Sequence, residues 1–441
     1  MNNYLIKIEK FIKNKYINLY PPELKDKVLY LLQNGKRLRP ILFLLFTGED
    51  ELENTTNDSY INYKSKTYII YIVSIVIEIL HSLSLVLDDL PEMDDDTMRR
   101  DNQSFHIKYG IDYTNFFIYY MFTHIGLELD NCNNSFFETK KNKSKNITKK
   151  DIELNIELNI KIINDIQSTI KKNINYLIEG QYDDLEWHSN VVQVNKNNII
   201  FLNEKDIIFD LLNIDDYIIN SKLTIIKIDE IELNIELNLK KTSSLFNLSI
   251  TSGYILQLWK HNINYLNNEK YSKIYNLLSI FSNMLGYMFQ ISDDILDIES
   301  DKKKNKPNIC SILDKDIVIK LLKNGCKWLN ENAKIIHELM KQLLEKAAPK
   351  QLLEKAAPKY SANSLNNYEN NSDEEYIKYD SDNYISEEGN SEEGYSEDSS
   401  NEDDSNSVDN INSVDDIKNI TFNLKVINEI IEKIENRIKK I

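Results

Sequence analysis

DDLPEMDDDTMRR, Asp88 to Arg100, closes the apolar run VSIVIEILHSLSLVL, and DDILD, Asp293 to Asp297, follows a second, LLSIFSNMLGYMFQI. Both runs are helix-length, so both acidic clusters fall where a buried helix reaches a mouth. Residues at i, i+3 and i+4 share a helical face. Asp293, Asp294 and Asp297 are therefore expected to aim their carboxylates at one point. In the first segment Asp94 and Asp95 follow Asp88 by about two turns, which predicts one face again for Asp88, Asp89 and Asp94. Carboxylates stacked this densely repel one another unless a hard cation neutralises them. Magnesium suits them: it takes oxygen ligands, keeps several waters, and uses one or two carboxylates together with substrate phosphates. Alone, either cluster is also compatible with a solvated acidic helix face; the apolar flanks favour a ligand site.

Beyond these motifs, periodic apolar stretches at Tyr68 to Leu87, Tyr271 to Ile291 and Ile317 to Leu339 predict long helices, and strand-like alternation is scarce. Ten Gly and seven Pro in 441 residues leave few helix breakers. An all-α bundle with its site inside follows. The formal net charge of -17 is confined to residues 361–416, where eighteen Asp and Glu face one Lys; the rest of the chain carries 52 residues of each sign. That segment is rich in Ser, Asn and Glu and too poor in large aliphatics to bury a core, so it reads as a disordered acidic insert. The acidity says nothing about the helical core's partners, and nucleic-acid binding has no support. QLLEKAAPK occurs twice in tandem, at Gln342 to Lys350 and Gln351 to Lys359, and IELNIELN occurs at Ile152 to Asn159 and Ile231 to Asn238; copies so few do not make a solenoid. Cys132, Cys310 and Cys326 lack metal spacing and leave an odd count, which points to a reducing compartment. No uninterrupted apolar run reaches the length of a membrane span. Abundant Asn, Ile, Lys and Tyr point to an AT-rich genome.

Five landmarks stand in one order: GKRLRP at Gly35 to Pro40, HSLSLVLDDLPEMDDDTMRR at His81 to Arg100, GQYDDL at Gly180 to Leu185, Lys241-Thr242, and FQISDDILD at Phe289 to Asp297. With them the chain resembles the trans-isoprenyl diphosphate synthases, the family of farnesyl, geranylgeranyl and polyprenyl diphosphate synthases. The second and fifth landmarks are specific; the others gain weight from their order. The resemblance covers residues 1–340, with insertions near 131–150 and 191–223 read as lengthened surface loops. The tandem repeat (341–360), the acidic insert (361–416) and a C-terminal helix of the core (417–441) follow.

The resemblance implies an isoprenoid-synthase-type helical bundle with a central substrate cavity, and a magnesium-dependent prenyltransferase acting on isopentenyl diphosphate and an allylic diphosphate. Asp88, Asp94, Asp293, Asp294 and Asp297 would hold Mg2+, with Asp89 and Lys241 completing the catalytic group. Arg99, Lys241, Thr242 and Gln290 would bind the allylic diphosphate; Gly35, Lys36, Arg39, His81 and Arg100 would bind isopentenyl diphosphate. Leu83 and Ser84, five and four positions before Asp88, would set product length, and the absence of an aromatic there favours geranylgeranyl diphosphate or a longer product. No general base is evident, and the departing diphosphate is the expected proton acceptor. A homodimer is expected from the family, without a transmembrane segment. The family-like region begins almost at Met1, so no leader is expected, and the location is cytoplasmic or a plastid-like organelle. The chain departs from the family pattern in IESDKKKNKPNICSIL after the second motif, where a glycine-containing lysine loop is usual: Lys306 stands for its first lysine and the second has no clear counterpart. Asn34 stands where a second glycine often precedes GKRLRP. Two other readings stay open: a non-catalytic partner subunit of another prenyl synthase, and a terpene or squalene-type synthase. Complete acidic motifs weigh against the first, GKRLRP and Lys241-Thr242 against the second.

Overall fold

The computed structural model describes residues 1–48, 66–138, 149–188, 201–213, 225–260, 269–304, 306–347 and 422–440. Along the chain come α1 (Asn2–Asn14), a 3-10 turn (Tyr16–Leu19), α2 (Pro22–Leu32), α3 (Leu38–Phe46), α4 (Lys66–Asp88), a hairpin of β1 (Met98–Arg99) and β2 (Asn102–Gln103), α5 (Phe105–Tyr109) and α6 (Ile111–Glu138). Then follow α7 (Lys149–His188), α8 (Leu202–Leu212), α9 (Ile225–Asn238), a π turn (Leu239–Ser243), α10 (Ser244–Lys260), α11 (Glu269–Leu296), α12 (Ile298–Lys304), α13 (Ile309–Ile312), α14 (Lys315–Ala347) and α15 (Leu424–Asn436), which runs into a closing 3-10 turn (Arg437–Lys440). The all-α expectation holds, and the three apolar stretches of the sequence are α4, α11 and α14.

The bundle is organised around α10, which is buried at every position from Ser244 to Trp259 except Asn247. A helix buried on all sides is the centre of a core, and α3, α4, α7 and α11 pack around this one. Gly253 is what lets α3 approach: a Cβ there would stand 2.8 Å from the Phe43 carbonyl oxygen. α4 is long and apolar enough to cross a membrane, but 83% of its apolar window is buried inside the bundle, as in a core helix. On the far side α14 packs against α11, and α15 lays Ile427, Ile430, Ile431 and Ile434 against α14. These four recur at helical spacing on one face, which is why a short C-terminal helix is held by burial rather than by intrinsic propensity.

Part of the stretch read as a surface loop, 191–223, is helical instead. In α8, Ile208 and Leu212 are buried, and Glu204 accepts a 2.8 Å hydrogen bond from Asn283 of α11. Its apolar residues are not confined to one face, and the buried row Glu204, Ile208 and Leu212 carries an acid, so periodicity alone does not mark it. Residues 131–138 likewise extend α6, and α14 continues into the first repeat unit as far as Ala347. The remainder of the insertions, the second repeat unit and the acidic insert lie outside the described residues. Cys310 and Cys326 are free thiols, and burial pushes each up to about 12.

Candidate active site

α4 and α11 deliver the two acidic motifs to one mouth, but not as two matching helical faces. α4 stops at Asp88, and Pro91 explains why: it has no N–H to donate and disfavours helix in the residue before it. The chain then folds back in a turn in which the Asp94 N–H donates to the Asp88 carbonyl (2.9 Å) and the Asp95 N–H to the Leu90 carbonyl (3.1 Å), Asp95 taking a positive φ of 52°. Asp94 is thus brought back by a turn, not by two further helical turns. Asp89 points inward. It is buried, and its Oδ1 accepts from Nε (2.8 Å) and Nη2 of Arg99. Burial raises the Asp89 carboxyl, with Arg99 opposing it. The buried Asp89 and the partly exposed Arg99 therefore form an ion pair, with Asp96 as a further partner of Arg99.

The second motif divides in the same way. Asp293 and Asp297 lie one turn apart toward the mouth, half-buried and exposed respectively. Asp294 shares a face with Gln290 instead and is buried. Its carboxylate accepts from the Gln290 amide (2.8 Å) and the Ile309 backbone N–H (3.1 Å). Burial pushes the Asp294 carboxyl up to about 7, against those two hydrogen bonds. The three carboxylates do not converge: Asp294 ties α11 to α13, while Gln290 links it to Thr242 through a 2.8 Å bond from the threonine hydroxyl.

Each carboxylate cluster at the mouth has a cation. Lys241 lies 2.5 Å from Asp184 and 3.4 Å from Asp88. Burial works against its charge, but Asp88 and Asp184 outweigh it and hold the ammonium above its usual range. Gln181 donates to Asp88 as well. Lys306 reaches across from the segment after the second motif to Asp94 (2.5 Å), and Lys304 does the same to Asp96. Burial disfavours the Asp96 carboxylate, but Lys304 and Arg99 more than compensate and hold it below its usual range. Arg437 pairs with Asp293. The segment that departs from the family pattern thus spans the mouth with two lysines, each paired with an acid of the first motif.

The π turn carries Lys241 and Thr242, and π turns are often found at functional sites. Two glycines let its backbone in: a Cβ at Gly180 of α7 would lie 2.5 Å from the Lys241 nitrogen, and one at Gly286 of α11 would lie 2.6 Å from the Ser243 Cα. GQYDDL is explained by this packing. Its glycine admits the turn, and Gln181, Asp183 and Asp184 engage Asp88, Lys240 and Lys241. Neither Asp183 nor Asp184 stands out from sequence, although the motif that holds them does.

The other wall is cationic. Asn34 and Arg37 have positive φ (56° and 53°), flanking Gly35 and Lys36. Asparagine tolerates the left-handed region better than most residues, which accounts for Asn34 in place of glycine. A side chain at Gly35 would meet Arg37, Glu78 (2.7 Å) and Arg100 (3.0 Å). Arg37 is buried against Glu9 and Glu78, each at 2.9 Å. Arg100 and Asp101, both with positive φ, form the tight turn of the β1–β2 hairpin. Arg39 is buried with its guanidinium 4.8 Å from the Phe246 ring centre, and its Nε has no hydrogen-bond partner among the described residues. Burial draws it down to about 10, partly offset by Glu78. Beside it, His81 is held well below its usual range by burial and then by Arg39, Arg100, Arg99 and Arg37, so its imidazole is neutral. Lys36 is exposed on a cavity of about 750 Å3 between α1, α3, α11 and α15.

The polyprenyl synthetase family model matches residues 21–202, which include the first acidic motif and GQYDDL. The farnesyl diphosphate synthase of Buchnera aphidicola subsp. Acyrthosiphon pisum is 25% identical over 295 residues, 65% of this chain and 80% of that protein. A mitochondrial geranylgeranyl pyrophosphate synthase 10 of Arabidopsis thaliana is 38% identical over 101 residues, 21% of this chain and 24% of that protein. A geranyltransferase structure from Helicobacter pylori aligns with 78% of this chain and 96% of its own at 20% identity and a TM-score of 0.49. Residues 21–202 match the polyprenyl synthetase family, and the relatives beyond that match are farnesyl and geranylgeranyl diphosphate synthases. No group of three or more His, Cys, Asp or Glu converges into a metal cage among the described residues. Magnesium does not require one, since one or two carboxylates with phosphate oxygens and water complete its shell. Asp88 and Asp94 lie on one side of the mouth and Asp293 and Asp297 on the other, and these are the carboxylates that would offer oxygen donors for that arrangement. Asp294 is buried and accepts hydrogen bonds from Gln290 and the Ile309 backbone. Leu83 is buried, and Ser84 is half-buried with its hydroxyl donating to the His81 carbonyl (2.8 Å).

Proposed function

We propose that this prenyltransferase condenses isopentenyl diphosphate with an allylic diphosphate in the presence of magnesium, giving geranylgeranyl diphosphate or a longer product. One observation carries the reading: acids of both motifs meet at a single mouth whose cations already reach across it, with Lys306 on Asp94 and Lys241 on Asp88. Magnesium, when bound, would neutralise charge growing on the departing diphosphate. Asp88, Asp94, Asp293 and Asp297 would hold it. Lys241, kept charged by Asp88 and Asp184, and Lys306 are positioned to take diphosphate oxygens, where a preorganised cation stabilises leaving-group charge. Arg39, with its unpartnered Nε, and Arg100 and Lys36 form the second anion-binding wall; an arginine fork suits phosphate oxygens in geometry and charge. A neutral His81 can orient that second diphosphate by a hydrogen bond without adding charge. Leu83 supports a product beyond farnesyl diphosphate, since it offers no aromatic floor one turn before Asp88. A homodimer is supported by the exposed row Tyr113, Phe116, Tyr119 and Leu127 along α6, an apolar face of the kind that partners cover; sedimentation would show a monomer if this is wrong.

The deciding assay incubates the full chain with magnesium, farnesyl diphosphate and labelled isopentenyl diphosphate and resolves the products by length. A geranylgeranyl band is the expected result. A ladder of longer products keeps the chemistry and moves the chain to the long-chain class. No product from any allylic primer, with or without magnesium, overturns the catalytic reading in favour of a partner subunit.

A further inference from the structure

The C-terminal turn contributes a side chain to the mouth that no motif of the sequence marks. Arg437 donates from Nη2 to Asp293 Oδ1 and from Nη1 to Ser292 Oγ (2.9 Å), and its guanidinium lies 4.7 Å from the Phe289 ring centre. Three residues of the FQISDDILD motif are thus engaged by one arginine from the other end of the chain. Both members of the ion pair keep about a quarter of their side-chain surface exposed, 26% for Arg437 and 27% for Asp293, so the pair is reachable by an ion from solvent. Arg437 lies just beyond α15, whose anchoring residues Ile430, Ile431 and Ile434 are buried. The side chain can therefore leave Asp293 without unpacking the helix. It also has somewhere to go, because it lines the cavity of about 750 Å3 that Lys36, Lys433 and Phe289 share.

We propose that Arg437 is the resident counter-ion of the second acidic motif: it occupies Asp293 in the metal-free protein and is displaced when a divalent cation binds there. The inference rests on the reading of Asp293 as a metal-binding residue. A carboxylate oxygen engaged by a guanidinium is a poor ligand for a second cation, because the two positive charges then repel across a half-buried site. Arg437 thereby keeps the partly buried Asp293 compensated before metal arrives, and couples metal loading to the order of the C-terminal turn. It is a positioning residue; it is given no contact with the reacting atoms.

The test titrates magnesium alone into the full-length protein by calorimetry, so that no diphosphate is present for Arg437 to turn to, and follows hydrogen exchange across residues 424–440. Arg437→Gln is expected to tighten magnesium binding about tenfold, since the binding-competent fraction of Asp293 rises; Arg437→Lys falls between. In the unsubstituted protein, magnesium should raise exchange at 437–440 and leave the buried face of α15 unchanged. Once Asp293→Asn has been introduced, adding Arg437→Gln should no longer change magnesium affinity. Equal magnesium affinity with and without Arg437, or weaker binding in R437Q, overturns the inference while leaving the metal reading intact. Failure of every variant to take up magnesium alone overturns the inference, and failure to take it up with inorganic diphosphate added overturns the metal reading as well. If R437Q does not fold, the exchange response of the unsubstituted protein and the affinity of R437K decide, and no change in either rejects the proposal.

Discussion

Asp88 and Asp294 show how acids of similar sequence context come to different roles. Asp88 faces the mouth beside Lys241 and Gln181, whereas Asp294 is buried and accepts from Gln290 and Ile309. Asp88→Ala should lower turnover by about a hundredfold or more, the scale of losing one preorganised charge contact, with little change in melting temperature. Asp294→Ala should instead destabilise by about 1–3 kcal/mol, because the Ile309 N–H and the Gln290 amide lose their acceptor in a buried place. Thermal melts beside steady-state rates separate the two, and a loss of rate alone in Asp294→Ala would return it to the metal set. His81 gives a pH dependence with a definite sign. Its folded value is depressed below 6.5, so as pH falls through 6.5 the unfolded chain takes up a proton that the folded one refuses. Stability should be fully present above that pH and decline below it, and His81→Gln should flatten the acid side of a plot of stability against pH. An unchanged acid slope in His81→Gln would show that other groups dominate there.

Among the elements, the site is assembled where the π turn is pinched between α7 and α11. Gly180 is required at this crossing because a Cβ would meet the Lys241 backbone, which has no soft way to yield. Gly180→Ala should displace Lys241 and cut turnover at least about tenfold, although alanine is the better helix former by about 1 kcal/mol. Gly126→Ala on α6 is the control: nothing lies within 4 Å of its Cβ, so it should be silent or slightly stabilising. Equal behaviour of the two variants in rate and melting temperature would remove the close approach as an explanation. The elements themselves were legible where apolar periodicity is strong, as in α4, α11 and α14. They were not legible at α8, whose apolar residues spread around the helix while its buried row carries Glu204, nor at the turn after Asp88, where Pro91 ends a helix that acid spacing alone would have prolonged.

Across the bundle as a whole, product length is the property that depends on how several helices meet. Leu83 is fully buried one turn before Asp88. Leu83→Phe should shift the product distribution toward shorter chains, read from labelled products separated by length; an unchanged distribution would place the floor of the product site on another helix. Local spacing is enough to establish the helical class, the buried character of α4 and α11, the ordered landmarks of a prenyl synthase and the acids at two helix ends, because hydrophobic periodicity and residue chemistry are written along the chain. Which acids face the mouth, and which cation each one meets, is settled by the folded bundle. Asp293 and Asp294 differ by one step around a helix, and that step acquires meaning once α13 supplies the Ile309 N–H on one side and the C-terminal turn supplies Arg437 on the other. Contacts between residues so far apart in the chain leave no local signal, since what selects them is the packing of all the helices together.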